Sequence, residues 1–282
     1  MTTYALTGAT GRFGQTAAQT LVHLVGADHV VALARNVERA TSLLPAGVTV
    51  RPGDYTDRAQ LTASLQGVDR LLFISSQPGA AVPRLTQHEN LVAAAKAAGV
   101  GFIAYTSFPH ADTATTPLAA DHAGTEQAIV EAGLAHAFLR NNWYLENESH
   151  QLQAAAAGKP FVYAGGDGLV GWALESDYAE AAARVLVDPA PRAIYEFAGA
   201  PHTYAELAAA VPGDFQVSSL TADEYAAGLR QAGMSDANVA VMGMLQALIR
   251  DNQLAETTTD LPTVLGRSLA PLAAAVQTVL GK

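Results

Sequence analysis

The sequence predicts an α/β fold, a doubly wound parallel sheet joined to a smaller, mainly helical C-terminal lobe. Three observations predict it. Seven short apolar runs alternate with segments whose apolar residues fall three or four apart. Three glycines cluster where the first run gives way to the first such segment, and the alternation stops near Ala200. A strand covered on both faces needs only a short apolar run, whereas a helix declares itself by apolar residues recurring about every 3.6 positions.

The runs are Tyr4–Thr7, Val30–Ala34, Val48–Val50, Leu71–Ile74, Phe102–Thr106, Ala135–Leu139 and Ile194–Ala198. The segment after the first places Phe13, Ala17, Leu21 and Leu24 on one helical face. Strands alternating with helices build right-handed βαβ units, and an open sheet of such units takes its ligand at the carboxyl ends of the strands. Beyond Ala200, Thr203/Glu206 and Thr221/Glu224 have the spacing of capping boxes and start helices, with no convincing strand after them. The expected boundaries are 1–145, with a returning segment at about 169–200, for the sheet-bearing domain, and 146–168 with 201–282 for the lobe.

Composition removes several classes of function. With 282 residues, half of them hydrophobic, the chain can bury a large core. Sixteen Lys and Arg against 26 Asp and Glu, a net charge of −10, leave no basic footprint for nucleic acid. The absence of cysteine excludes disulfides, thiolate metal sites and thiol redox chemistry, and makes no demand for an oxidising compartment. Residues 1–20 lack a charged stretch followed by an apolar one, and no run of about 18 apolar residues exists to enter a membrane, so the expected setting is the cytoplasm.

The glycines lie in "TGATGRFG", between a strand ending at Thr7 and a helix beginning near Arg12. Backbone N–H groups and the positive end of a helix meet there, as a pyrophosphate requires. Gly8 would make the tight turn, Gly11 would let phosphates approach the backbone, and Gly14 would let the helix press on the sheet. At the first strand-to-helix junction of a seven-run α/β pattern this is the mark of a Rossmann-type dinucleotide site, although the GxxGxxG spacing is one residue longer than the common GxGxxG. The second strand ends "VVALARN", with Arg35 standing 21 residues after Gly14 where NAD-binding folds carry an acid. An arginine there suits a 2′-phosphate, so NADPH is the expected cofactor.

"TGATGRFG", "ALARN", "VRPGDYTD", "LLFISS", "AAKAAGVGFIAYTSFPHAD", "LAADHAGTE", "FLRNNWYLEN" and the late "GDG…SDYAEAAARVL" come in the order seen in NmrA-like, atypical short-chain dehydrogenases. Over nearly its whole length the chain resembles the type 2 NADPH:quinone oxidoreductases of that group, with triphenylmethane reductases as near relatives. The resemblance implies NADPH in the sheet crevice, a helical lobe covering it and a flat aromatic acceptor between them. It further implies that Gly8, Thr10, Gly11, Arg12 and Phe13 contact the pyrophosphate, with Gly14 beside them in the cofactor site, Arg35 the 2′-phosphate, and Asp54 and Tyr55 the adenine. Ser75 and Ser76 would lie beside the cofactor's ribose and pyrophosphate, with Thr106 a further cofactor-binding residue.

The wider short-chain dehydrogenases use a Tyr-xxx-Lys pair, in which the lysine lowers the tyrosine pKa for proton transfer to a carbonyl. Here the lysines are Lys96, Lys159 and Lys282, and none has a tyrosine four positions before it. A quinone needs less help, because the hydroquinone anion is stabilised by its own ring and takes its proton from water. Positioning would then supply most of the catalysis.

The segment "FLRNNWYLEN" follows the sixth run, so Asn141, Asn142, Trp143 and Tyr144 emerge at the carboxyl end of the sheet. Aromatic faces stack on flat acceptors and amides fix their oxygens, so Asn142 and Tyr144 are catalytic candidates and Asn141 and Trp143 acceptor contacts. Packing of the two aromatics against the lobe is the alternative. Phe108 and His110 in "TSFPHAD" come from another carboxyl-end loop and are further acceptor candidates, while His122 in "AADHAGTE" is a candidate proton donor or a structural histidine. No metal site is expected, since His122 and Glu126 stand one helical turn apart without a third ligand at recognisable spacing. Asp177 starts a helix, its carboxylate offsetting the dipole. The rival readings are an NADP(H)-binding redox sensor without turnover and a triphenylmethane dye reductase; a homodimer is compatible with any of them.

Overall fold

The chain alternates strand and helix from its first residues: β1 (Tyr4–Leu6), α1 (Arg12–Val25), β2 (Val30–Ala34), α2 (Val37–Leu43), β3 (Thr49–Pro52), α3 (Arg58–Ser64) and β4 (Arg70–Phe73). There follow α4 (Arg84–Ala98), β5 (Phe102–Ser107), α5 (Pro117–Glu131), β6 (Ala135–Asn141), α6 (Ser149–Ala156), β7 (Phe161–Tyr163) and β8 (Leu169–Val170). The remainder is α7 (Glu175–Val187), β9 (Ile194–Phe197), β10 (His202–Thr203), α8 (Tyr204–Ala209), β11 (Val217–Ser219), α9 (Ala222–Gln231), α10 (Asp236–Arg250), α11 (Asp260–Leu265) and α12 (Leu272–Val279). This computed structural model describes residues 1–79 and 81–281.

Two units divide the chain: Met1–Asn141 with Glu175–Phe197 and Asp260–Arg267, and Asn142–Leu174 with Ala198–Thr259 and Ser268–Lys282. In the first unit the seven apolar runs form one parallel sheet in the order β3-β2-β1-β4-β5-β6-β9. The chain leaves β1 toward β2 and β3 and returns to β4 on the other side, so the switch point lies at the carboxyl ends of β1 and β4. Every residue of β2 and β5 is buried, as parallel strands covered on both faces require. Leu61, Leu91, Val92 and Ile129 from α3, α4 and α5, with Leu65 just after α3, meet Val31, Leu71, Phe73 and Ile103 of the sheet in one core, while α1 packs against α7. Helix α1 buries Phe13, Ala17 and Leu21 as expected, but Leu24, on its last turn, is 38% exposed.

The second unit departs from the sequence expectation in carrying short strands. β11 pairs parallel with β7, and β10 pairs antiparallel with β8. Strands of two or three residues are too short to show a period. The expected capping boxes are present, with Thr203 and Glu206 closing the start of α8 and Thr221 and Glu224 that of α9.

The boundaries fall at other places than 145 and 169 for identifiable reasons. Leu145 N–H donates to Ala173 O (2.9 Å) and Gly199 N–H to Gly171 O (3.0 Å), which ties 142–145, 169–174 and the residues after Phe197 into the second unit. Asp260–Arg267 belongs to the first. Asp260 accepts from the Glu196 N–H (3.1 Å) and pairs with Arg192 (2.6 Å), while Arg267 pairs with Asp177 (2.7 Å) in the first turn of α7. No helix among the described residues is long and apolar enough to cross a membrane.

Candidate functional site

At the end of β1 the chain turns through Gly8, whose φ of +61° lies in the left-handed region that favours glycine. Gly11 N–H donates back to Gly8 O (3.1 Å), and Gln15 Nε2 steadies the loop by donating to Thr10 O (3.0 Å). A Cβ on Gly14 would run into Gly8 O and lie 2.8 Å from Ala9 Cα, so only glycine lets α1 sit this close to the loop. Gly11 is different. Its backbone (φ −76°, ψ 163°) suits any residue, and a Cβ there would meet only Gly8 O, at an ordinary 3.4 Å. The protein's own sterics therefore do not demand glycine at 11. Gly11 also caps α1 without a side-chain acceptor, leaving the helix end for an outside anion. One carboxylate already stands there: Glu175 Oε1 accepts the Phe13 N–H (3.0 Å), and its other oxygen lies 3.5 Å from Nε of the exposed Arg12.

Arg35 is exposed at the end of β2, and Asn36 beside it caps α2 by accepting the Arg39 N–H (2.8 Å). Across the neighbouring loop Asp54 accepts from the Thr56 N–H (2.9 Å) and hydroxyl (2.8 Å). These bonds hold the Asp54 carboxyl below its ordinary pKa, with a smaller contribution from the charge of Arg35. Tyr55 is half-buried, its ring edge-on to Phe73 at 5.9 Å, and its hydroxyl donates to Ile74 O (2.6 Å).

The segment after β4 is held group by group. Ile74 N–H donates to Thr7 Oγ1 (2.9 Å), Ser75 N–H to Thr106 Oγ1 (2.9 Å), and Ser76 N–H to His88 Nε2 (3.0 Å). Three consecutive amides are thus each taken by a side chain from a different element. A Cβ on Gly8 would sit 3.3 Å from Ile74 Cβ, so this segment and the glycine loop are in contact at the switch point. Thr7 and His88, both fully buried, are not among the candidate site residues; Thr7 opens the glycine motif but reads only as the end of the strand, and His88 lies in no glycine or polar motif.

Farther along the sheet, Phe108 and His122 stack at a 35° tilt, ring centroids 6.0 Å apart. His122 is only 7% exposed, its Nδ1 2.9 Å from the Tyr105 hydroxyl, and burial pushes its pKa well below the ordinary value. The imidazole is therefore neutral at pH 7. His110 holds a left-handed backbone (φ +46°), with its N–H donating to Glu196 Oε2 (3.3 Å). The loop bearing it is anchored by buried Arg140, which grips Glu126 with two bonds (3.0 and 2.7 Å), Glu196 with one (3.0 Å) and Asp112 with another (2.9 Å). Ser107 donates to the same Glu126 (2.6 Å). Glu126, one turn from His122, is thus committed to an ion pair within the sheet unit. Asn141, at the end of β6, is buried.

The chain passes from β6 into the second unit at Asn142. Asn142 spends its amide internally: Nδ2 donates to Leu254 O (3.1 Å) and Oδ1 accepts the Trp143 N–H (2.8 Å). Trp143 and Tyr144 are half-buried, Tyr144 bridging to Ala173. Trp143 Nε1 donates to Glu148 Oε1 (3.1 Å), as does the Tyr204 hydroxyl (3.2 Å), which in turn accepts from Gln246 Nε2 (3.2 Å). Burial pushes the Glu148 carboxyl up to about 7, although the hydrogen bonds from Trp143 and Tyr204 draw it down. Glu148 also escaped sequence reasoning, since "LENES" reads as a solvated polar stretch.

The cofactor candidates Gly8, Thr10, Gly11, Arg12, Phe13, Gly14, Arg35, Asp54, Tyr55, Ser75, Ser76 and Thr106 all belong to the first unit and gather at the carboxyl ends of β1 to β5. The acceptor candidates divide, Phe108, His110, His122 and Asn141 lying in the first unit and Asn142, Trp143 and Tyr144 in the second.

Residues 8–168 match the NAD(P)H-binding family. Quinone oxidoreductase 2 of Escherichia coli K12 is 42% identical over 238 residues, 82% of each chain. The crystal structure of NADPH-dependent quinone oxidoreductase from Escherichia coli complexed with NADPH superposes with a TM-score of 0.89 at 36% identity, covering 98% of this chain and 99% of the other. The Citrobacter sp. triphenylmethane reductase complexed with NADP(H) gives a TM-score of 0.90 at 32% identity, covering 99% and 100%.

Proposed function

The chain belongs to the NAD(P)H-binding family, and on that premise we propose that it is an NADPH-dependent oxidoreductase passing hydride to a quinone or a similarly flat aromatic acceptor. One observation carries the reading. The likeness to the quinone reductase covers 98% of the chain, and so includes the unit bearing Trp143 and Tyr144 as well as the nucleotide-binding one.

Bound NADPH supplies the hydride; the protein supplies grip, orientation and a dry site. The residues present fit the cofactor. Gly11 is a glycine that the protein's own contacts do not require, which is what close approach of a pyrophosphate would impose. Gly8, Thr10, Gly11, Arg12, Phe13 and Gly14 cradle that group, Arg35 holds the 2′-phosphate, Asp54 and Tyr55 border the adenine, and Ser75, Ser76 and Thr106 form the wall beside them. Phe108, His110 and Asn141 of the first unit are the proposed acceptor contacts there, and Trp143 and Tyr144 are the candidates the second unit offers. His122, neutral and tied to Tyr105, and Asn142, with both ends of its amide engaged, act by holding neighbouring groups in place rather than by moving a proton. The reduced acceptor's proton then comes from water. We further propose that the protein is cytoplasmic and forms a homodimer; light scattering of the purified protein tests the second.

Dye reduction is the second reading, favoured by the TM-score of 0.90 to the triphenylmethane reductase and by a net charge of −10 that suits a cationic acceptor. Steady-state NADPH oxidation with a panel of quinones and triphenylmethane dyes separates the two. Oxidation driven by quinones is expected; oxidation by dyes alone moves the assignment to the second reading, and tight binding without oxidation makes the protein a sensor.

A further inference from the structure

We infer that His88 is a positioning residue for the cofactor wall, holding Ser76 through Nε2 and thereby setting the segment after β4 against the glycine loop. The inference rests on the reading that Ser75 and Ser76 line the NADPH site.

The hydrogen-bond directions leave His88 one role. The Ser76 backbone N–H can only donate, so Nε2, 3.0 Å away, must accept. On the other side Nδ1 lies 2.8 Å from Thr125 Oγ1, and Thr125 spends its only proton on Asp121 O (2.6 Å). Nδ1 must therefore carry the hydrogen and donate it. The ring is fixed as the neutral Nδ1–H tautomer, because a proton on Nε2 would face the Ser76 N–H. Its surroundings agree. His88 is wholly buried, with Phe73 at 5.0 Å, Tyr105 at 5.9 Å and Tyr55 at 6.5 Å all edge-on, and burial, helped by the charge of Arg84, pushes its pKa down to about 3.

Helix α4 thus fixes a backbone amide of the loop at the carboxyl end of β4. Tyr55 and Thr7 hold Ile74, Thr106 holds Ser75, and His88 holds Ser76, whose hydroxyl lies 3.1 Å from the same Nε2. Because Ile74 touches Gly8, a shift at Ser76 is passed to the loop that would cradle the pyrophosphate. The residue is not in contact with the reacting atoms; its effect falls on cofactor affinity.

Three measurements test this. In ¹⁵N spectra of the ligand-free protein at pH 7, His88 should show a protonated Nδ1 and an unprotonated Nε2; an Nε2–H tautomer or an imidazolium overturns the inference. By fluorescence titration, His88→Leu, which leaves the Ser76 N–H without its acceptor, should raise the NADPH Kd about tenfold, with the loss falling on Kd and KM more than on kcat. His88→Gln, whose Oε1 reaches the place of Nε2, should recover most of that loss. A folded His88→Leu protein with wild-type Kd, or a Gln variant no better than Leu, refutes it. Should His88→Leu fail to fold, Thr125→Val decides, since it removes the acceptor for Nδ1–H without touching the loop: a Kd raised severalfold supports the inference and a wild-type Kd refutes it. Arg35→Ala separates the two levels. If it weakens NADPH while the His88 variants do not, the inference falls and the cofactor reading stands; if the wild-type chain does not bind NADPH, the reading falls and the inference with it.

Discussion

In the sheet-bearing unit the buried titratable groups include His88, His122, Glu126, Arg140 and Asp177, whereas the other unit buries the carboxyl of Glu148. The first set is matched. Arg140 is gripped by Glu126 and Glu196, and the two histidines shed their charge because burial lowers their pKa. Glu148 receives only neutral donors, the indole of Trp143 and the hydroxyl of Tyr204. Burial consequently wins over hydrogen bonding and raises its pKa to about 7. The buried histidines and Glu148 thus answer pH with opposite sign. Each histidine's contribution to stability is present above its unfolded pKa and is lost as pH falls toward the depressed folded value. That of Glu148 is present below the unfolded carboxyl value and is lost as pH rises through about 7. Burial disfavours the charged form in all three, the protonated one for histidine and the ionised one for the carboxyl; Arg140 keeps its charge because Glu126 and Glu196 pair with it.

The largest expected effects come from a matched pair of glycines, one in each unit. Gly14→Ala drives a methyl into Gly8 O, and Gly168→Ala drives one into Ile249 O. Each should destabilise by about 3 kcal/mol or more, since backbone must move. Gly14→Ala should also abolish measurable NADPH binding, while a folded Gly168→Ala protein should bind NADPH as wild type does. Urea unfolding with NADPH titration checks both, and equal losses of affinity would break the comparison.

Next in size is Glu148→Gln. The amide keeps an acceptor for Trp143 and Tyr204 and removes the buried ionisation, so the variant should be more stable than wild type by about 2–3 kcal/mol at pH 8, with the gain fading as pH falls from 7 toward 4.5. Denaturation curves at pH 5 and pH 8 measure it; a gain that is independent of pH would show that Glu148 does not titrate in this window.

How much of this was legible in the sequence follows from range. All seven strands of the main sheet, the glycine turn and Arg35 rest on local pattern, and each was readable within about twenty residues. His88 was not, because the amide it holds lies 12 residues before it and the hydroxyl that fixes its tautomer 37 after it. Glu148 depends on Tyr204, 56 residues away, and β11 on β7 across a similar gap. Nor does spacing reveal that Asp260–Arg267 rejoins the sheet unit, which depends on ion pairs to Arg192 and Asp177. Long-range side-chain pairing leaves no period behind it.

Smaller effects separate the proposed cofactor and acceptor residues. Arg35→Ala should cut the preference for NADPH over NADH about tenfold, the worth of one charge-assisted bond to the 2′-phosphate, and leave quinone KM alone. Paired titrations with the two cofactors read it. Tyr144→Ala should lower quinone kcat/KM by roughly five- to tenfold, about 1 kcal/mol of stacking, with NADPH Kd unmoved. If Tyr144 instead only packs its own unit, melting temperature falls and acceptor kinetics stay as they were.

A single turnover tests hydride transfer to a quinone most directly. The protein is loaded with one equivalent of NADPH, mixed in a stopped-flow cell with a simple benzoquinone or with buffer, and followed at the reduced-nicotinamide band. Hydride transfer predicts that the band decays with quinone and not with buffer, faster than for free NADPH under the same conditions, and that one hydroquinone forms per NADPH lost. Bound NADPH that decays no faster than free NADPH with every quinone tried would contradict it.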